Sequence, residues 1–570
     1  MSILYTDKKI WCENKGFLCY LTLSSATAAL LNAATAPTVD GNASAANESF
    51  IVTTPTAATT LDISSITFGT DANAVLTGNN GIDVITASNG NDYLDGAALD
   101  DTHIGKSILE KLDTIVVIRS FSDTSWRFKC PFGKYSNPPL SLSKRLGAEN
   151  VNRLIYTYPG GNMPQWCVNR MFEMVTRGEL EIGMIAGGES LATQKRAERA
   201  GISLDWSEDA GGEYEEWGVE KRGWSEIEDR HLMSGAIFAY PMIENSIRGK
   251  KGRTIRDHSL EMGKLFSGFA SVAANNLLAD RRQGFTPQQI ANVNPNNPYI
   301  GFPYTKLMNS NAFIDQSAAI ILTSVAKAKE LGIPKNKWVY LQGCADAYDH
   351  WYLSDRVNYY SSPAMRIVAR ETFEMAGCTI SDIDALDLYS CFPSAVQIAC
   401  DEMGISLDDP RGLTITGGLP YFGGPGNNYV THSIAEMMNK VRAQPGIKGL
   451  VTANGNYITK QSAGIYSTEP LKKMFSPKDP SVYQVEINKQ KGPVFSEFAE
   501  GNAIIETYTI MHDRKGPSFG IVFGRLNNGN RFIANIPEDK SLMNAMVLED
   551  YLGKSGKVKS SQDINIFTPD

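Results

Sequence analysis

From Ile108 onward the chain alternates short apolar runs with stretches of helical period. "TIVVI", "RLIYT" and "EIGMIA" are bounded by polar or turn residues and are apolar at successive positions, the pattern of strands buried on both faces. Between the second and third lies "MPQWCVNRMFEMVTR", in which Cys167, Met171, Met174 and Val175 recur on one helical face. The pattern then returns. Strand "KWVYLQ" precedes helix "SSPAMRIVARETFEMAG", with Ser362 the expected N-cap and Pro363 at the first helical position. Strand "ALDLY" precedes helix "PSAVQIACDEMG". The loop "GGLPYFGGPGNNY" leads to helix "THSIAEMMNKVR" and then strand "GLVTA". Strand, turn and helix in this order, twice over, predict an α/β protein with an internally duplicated architecture.

The same reading sets boundaries. A first half spans residues 108–330 and contains a more polar, irregular insertion at about 192–305; a second half spans 331–475. Residues 480–570 read as an additional small β-rich domain, with Asn528-Gly529 as a hairpin turn between "PSFGIVFGR" and "RFIAN". Residues 1–107 form a low-complexity acidic extension, expected to be irregular because so little apolar surface is available to offset ordering entropy. Within it "GNNGIDVIT" and "ASNGNDYLD" approximate a calcium-binding nonapeptide, with Asp83 and Asp92 at the ligand positions.

Charge changes the picture in one place. The formal net charge is −8, from 54 basic and 62 acidic residues. Nine of the acids lie between Gly16 and Gly105, a stretch without Lys or Arg, so the remainder of the chain is close to neutral. Nucleic acid is therefore not the expected partner. The eight cysteines form no C-x-x-C pair, which points to a reduced, cytoplasmic setting. Residues 16–37 offer a secretory-signal alternative, and no apolar run is long enough for a transmembrane helix.

Several stretches taken together, "VIRSFSDTSWRFKCPFG", "YTYPGGNMPQWC", "AGGES", "GAIFAYPMIENSIR", "LDLYSCFPSAV", "GGLPYFGGPGNNYVTHS" and "ANGNYITKQSAGIYST", resemble the thiolase superfamily, in particular the thiolase-like proteins of type 1. The resemblance covers about residues 108–570; the family would supply its first strand and helix upstream of that. It implies the thiolase fold, with two similar halves in a layered αβαβα arrangement, existing as a monomer or homodimer. Its ligand would be CoA or an acyl-CoA.

Thiolase chemistry uses a cysteine at a helix N-terminus, a base beside the thioester carbonyl and two oxyanion pockets. Mapped onto this chain, the nucleophile position of C-x-S-G falls on Gly161, and Cys167 lies six residues beyond it on the core-facing stripe. The oxyanion position of N-E-A-F or H-D-C-F falls on Tyr389, the histidine of G-H-P on Gly424, and the base cysteine of C-x-G on Ala453. The expectation is an acyl-CoA-binding protein or atypical acyltransferase of lipid metabolism, with ordinary thiolase activity absent. Two alternatives stand beside it. One is an active acyltransferase using Cys391, at a strand-to-helix turn, with His432, which opens the helix after the glycine-rich loop. The other is a calcium-dependent surface or interaction protein working through its N-terminal segment.

Overall fold

The computed structural model describes residues 108–124, 126–472 and 475–570, and the backbone of short strands between Ser2 and Asp95. Asp83, the side chain of Asp92 and most of residues 16–37 lie outside what is described. The chain divides into two compact units. The first comprises Met1–Leu112, Leu146–Asn150 and Ala328–Ile333 and holds the short strands, among them the parallel pair Ala72–Thr77 and Asn91–Asp95.

The second unit contains two buried sheets. The first half gives five strands in the order Glu215–Trp217, Arg153–Thr157, Thr114–Val117, Ile182–Ser190 and Asp315–Thr323, the last antiparallel to the rest. Thr114–Val117 pairs with a neighbour on each side, so this sheet is continuous without a strand from upstream of residue 108. The strand that begins in "EIGMIA" runs on through "AGGES", because Gly187 to Ser190 pair with Asp315 to Ala318. The second half gives Tyr340–Tyr348, Lys460–Ser467, Lys448–Gly455 and Ala385–Asp387 in that order.

Helices Met163–Arg177 and Tyr429–Ala443 lie between the two sheets and touch both. Helix Pro363–Ala376 covers the outer face of the second sheet, and Leu191–Ala200 packs against strand Asp315–Thr323 of the first. The five-layer αβαβα thiolase fold is thereby formed. The central helices approach the sheets closely because glycines on the strands receive their methionines: Gly183 leaves the space that Met171 enters, and Gly449 the space for Met437. Cys167, Met171 and Met174 are buried, as their spacing implies. Ser362 caps its helix, its hydroxyl accepting from the Met365 amide.

The insertion is more regular than its polarity suggests. It contributes helices Ala236–Lys250 and Ile255–Asn275, the first buried on nearly all sides despite Pro241. Glu244 on that helix is fully buried and accepts from Tyr304 (2.6 Å) and Gln397 (2.6 Å), with His258 Nε2 2.6 Å from the same carboxylate. Ser394 Oγ donates to the same Tyr304 hydroxyl at 2.7 Å. These bonds join the insertion to helix Pro393–Met403 of the second half.

The C-terminal sheet consists of Gly501–Asp513, Gly516–Leu526, Arg531–Asn535, Ser555–Ser561 and Ile564–Pro569, and is extended by Tyr299–Gly301 and Tyr304–Thr305 from the insertion. Ile521, Phe523 and Ile533 on it belong to the main apolar core. Buried Arg531 pairs with Glu506 and donates to the carbonyls of Ser354, Arg356 and Val357. Among the described residues, no helix is long and apolar enough to cross a membrane.

Because three side chains converge on one buried carboxylate, Glu244→Ala should destabilise the protein by about 3–5 kcal/mol. Glu244→Gln, which keeps one acceptor oxygen, should cost less. Urea unfolding of the two variants checks the order.

Candidate functional site

Where the central helices begin, four loops meet. Gly160, Gly161 and Asn162 lead into helix Met163–Arg177, with Pro164 inside its first turn. Segment 388–392 joins strand Ala385–Asp387 to helix Pro393–Met403. Loop 417–428 precedes helix Tyr429–Ala443, and the turn 456–459 joins two adjacent strands. The loops are tied by side-chain amides. Asn427 accepts from the Gly160 amide (3.0 Å) and donates to the Arg119 carbonyl (2.7 Å), while Asn428 donates to the Gly187 carbonyl (2.6 Å).

The structure brings Gly161 and Tyr389 together. A Cβ at Gly161 would collide with the Tyr389 hydroxyl and with the Asn454 carbonyl, so the phenol fills the space that a side chain at position 161 would need. Tyr389 is held by its amide, which donates to Thr452 Oγ1 (3.0 Å), and by edge-on packing against Tyr429. Ala453 is fully buried one residue after Thr452. The cavity beside Tyr389, also lined by Thr452, Asn454 and Gln461, measures about 10 Å³ and has room for roughly one water.

Gly424 lies against Ser310, whose hydroxyl takes the place of a side chain there and whose amide donates to the Cys391 carbonyl (3.1 Å). The Cys391 thiol is hydrogen-bonded with the hydroxyl of Tyr240, and burial pushes it up to about 12. A thiol so placed stays protonated at neutral pH and is a poor nucleophile. His432 is buried edge-on to Phe422, and burial pushes it down to about 4, so it is a neutral imidazole. Among the described residues its Nε2 has no hydrogen-bond partner. Cys391 is thus bonded to Tyr240 and not to His432.

Two further groups shape this region. Tyr240, on helix Ala236–Lys250, donates to the Asn456 carbonyl (3.0 Å), accepts from Asn454 Nδ2 (2.9 Å) and stacks on Phe392 at 4.4 Å. Lys460 is buried beside Gly160, and its Nζ donates to the Pro159 carbonyl at 2.6 Å. Burial lowers it to about 8. Neither stood out in the sequence: Tyr240 sits in an apolar run, and a lysine two residues after "NYI" reads as an exposed strand-end charge. Among the described residues, no group of three or more His, Cys, Asp or Glu side chains is placed to hold a metal.

Comparison with known proteins fits this architecture. Residues 483–563 match the family model of the thiolase-like protein type 1 additional C-terminal domain. A 161-residue stretch is 27% identical to the 3-ketoacyl-CoA thiolase of Erwinia tasmaniensis; it spans 25% of this chain and 35% of that protein. The fold is also similar to the crystal structure of a monomeric SCP2-thiolase-like protein type 1 from Mycobacterium smegmatis. The TM-score is 0.70 and the identity 33%, over 82% of this chain and 91% of that one. A third of the residues shared along nearly the whole of that structure, together with the matching C-terminal domain, makes this chain a member of the SCP2-thiolase-like protein type 1 family.

Proposed function

We propose that this chain binds a CoA thioester in the thiolase cleft without carrying out thiolysis or Claisen condensation. The observation that supports this most directly is the Tyr389 hydroxyl in the side-chain space of Gly161. Thiolase chemistry requires a thiolate at that helix N-terminus, and here the position has no side chain and no room for one. Ala453 and Gly424 likewise offer no acid, base or polar side chain to a reacting carbonyl. Ligand recognition would rest on the loops around the starts of the central helices, and a role in lipid metabolism is part of the same proposal, supported by the likeness to a 3-ketoacyl-CoA thiolase. The 3-ketoacyl-CoA thiolase likeness, although partial, agrees with a thioester as the ligand class.

The acyltransferase reading built on Cys391 and His432 has less support, since burial keeps the thiol protonated and the imidazole neutral, and Tyr240 is the thiol's partner. The calcium reading concerns residues outside the described part of the chain.

Calorimetry of the full chain with acetyl-CoA should give a binding heat, while acetoacetyl-CoA with CoA should not be cleaved above the uncatalysed rate. Cleavage at an ordinary enzymatic pace overturns the catalytic part of this reading, and silence with both CoA and acetyl-CoA overturns the ligand. A double-mutant cycle tests the steric argument separately. Gly161→Ala should destabilise by about 1–3 kcal/mol through overpacking. The same change in a Tyr389→Ala background should cost clearly less, so additive effects would mean the phenol does not fill that space.

A further inference from the structure

A second site lies on the first half, beside loop 417–428, where a Cβ at Gly426 would meet Glu189 Oε1. Its sheet has a topological switch point. After Thr114–Val117 the chain goes to Arg153–Thr157 on one side, then crosses to Ile182–Ser190 on the other. In open α/β sheets such a reversal leaves a crevice at the carboxyl ends of the two diverging strands, where ligands bind. A cavity of about 210 Å³ occupies that place, lined by Val117 and Ile118 from one strand end and Gly188 and Glu189 from the other.

Two acids face this cavity. Glu189 is 9% exposed, and its Oε1 accepts from the Phe121 amide at 2.7 Å. Among the described residues no other group donates to it, so a buried carboxyl lines a cavity with one oxygen unpartnered. Asp123 accepts from the Tyr156 hydroxyl at 2.6 Å. Glu189 comes from the end of its strand, and the exposed Asp123 from the turn 120–124, which is closed by Thr124 Oγ1 donating to the Ser120 carbonyl (2.7 Å) and whose Phe121 amide holds Glu189. Lys134, Cys130 and the rings of Tyr135 and Trp206 complete the wall.

A buried carboxyl without a cation is costly to ionise, and an ammonium group placed against it supplies the missing charge. Aromatic walls favour the same kind of guest. A carboxylate or phosphate would bring its oxygens against those of Glu189 and Asp123, acceptors facing acceptors, and the volume of about 210 Å³ is too small for CoA. We propose that this switch-point cavity binds a small aliphatic ammonium ion between the carboxyl groups of Glu189 and Asp123.

Proton release follows from the burial. Glu189 is pushed up to about 8, chiefly by burial and further by Asp123, so it is mostly protonated at neutral pH. The other titratable groups facing it are Lys134, Cys130 and Tyr156, with Arg119 lying over the Tyr156 ring at 4.4 Å. Capture of an ammonium ion ionises Glu189 and expels its proton to solvent. In the ligand-free protein a raised carboxyl makes the native state bind more protons than the unfolded chain between about pH 4.5 and 8. Stability should therefore fall as pH rises through that window.

The test uses the full chain with butylammonium chloride, 1-butanol and sodium acetate in calorimetry, repeated in buffers of different ionisation enthalpy. Butylammonium is expected to bind with release of up to one proton at pH 7, at least tenfold more tightly than 1-butanol, with acetate inert. Glu189→Gln should weaken butylammonium at least tenfold, abolish the proton release and flatten the stability–pH slope. Asp123→Asn, which keeps the Tyr156 contact feasible, should weaken binding without removing proton release, and serves if Glu189→Gln folds poorly. Equal affinity for butylammonium and 1-butanol, unchanged binding in both variants, or no heat at millimolar butylammonium would each overturn the proposal.

Discussion

The fold depends on burying one pair of helices, Met163–Arg177 and Tyr429–Ala443, between two sheets at once. A helix in that position has no solvent face, so its whole circumference must find apolar or hydrogen-bonded partners. The strands answer with small residues, Gly183 under Met171 and Gly449 under Met437, which let backbones approach while long side chains fill the gap. Polar groups on the same helices find partners in turn, Gln165 donating to Asn169 and accepting from Tyr466, while the buried His432 Nε2 is left unmatched among the described residues. The two helix N-termini are thereby brought to the same end of the molecule, and the loops that define the thiolase site gather there because the central layer leaves them no other place.

That end of the second unit is packed as core. Tyr389, Tyr240, Tyr429 and Phe392 pack where a reactive cleft would need polar space, and Cys391 and His432 are both held in their uncharged forms by burial. The energetic logic is that of an interior. Aromatic contact and desolvation stabilise the arrangement, and the groups able to carry charge are those whose ionisation the surroundings oppose. Lys460 is the sharpest instance, a buried amine beside Gly160 that donates to the Pro159 carbonyl and lies 5.9 Å over the Trp351 ring.

Much of this architecture was legible from periodicity. The strands around Ile115, Ile155 and Ile185 were continuous apolar runs, the Cys167–Met171–Met174 stripe marked a buried face, and Ser362-Pro363 marked a helix start. The motif order located Gly161, Tyr389, Gly424 and Ala453. What the sequence could not supply was which distant segments touch. That Tyr389 enters the space of Gly161 depends on two loops 228 positions apart. The regular helix Ala236–Lys250 was hidden because a helix buried on all sides has no amphipathic signal, and Pro241 reads as a breaker. Glu189 was visible within "AGGES", but its want of a cation is a property of the folded surroundings.

The interlock of position 161 with position 389 imposes an order on sequence change. A cysteine cannot return to the helix start while the phenol stands there, and trimming the phenol alone opens a void with no compensating gain. Each single change at either position is therefore opposed by packing, and the two positions are bound to vary as a pair.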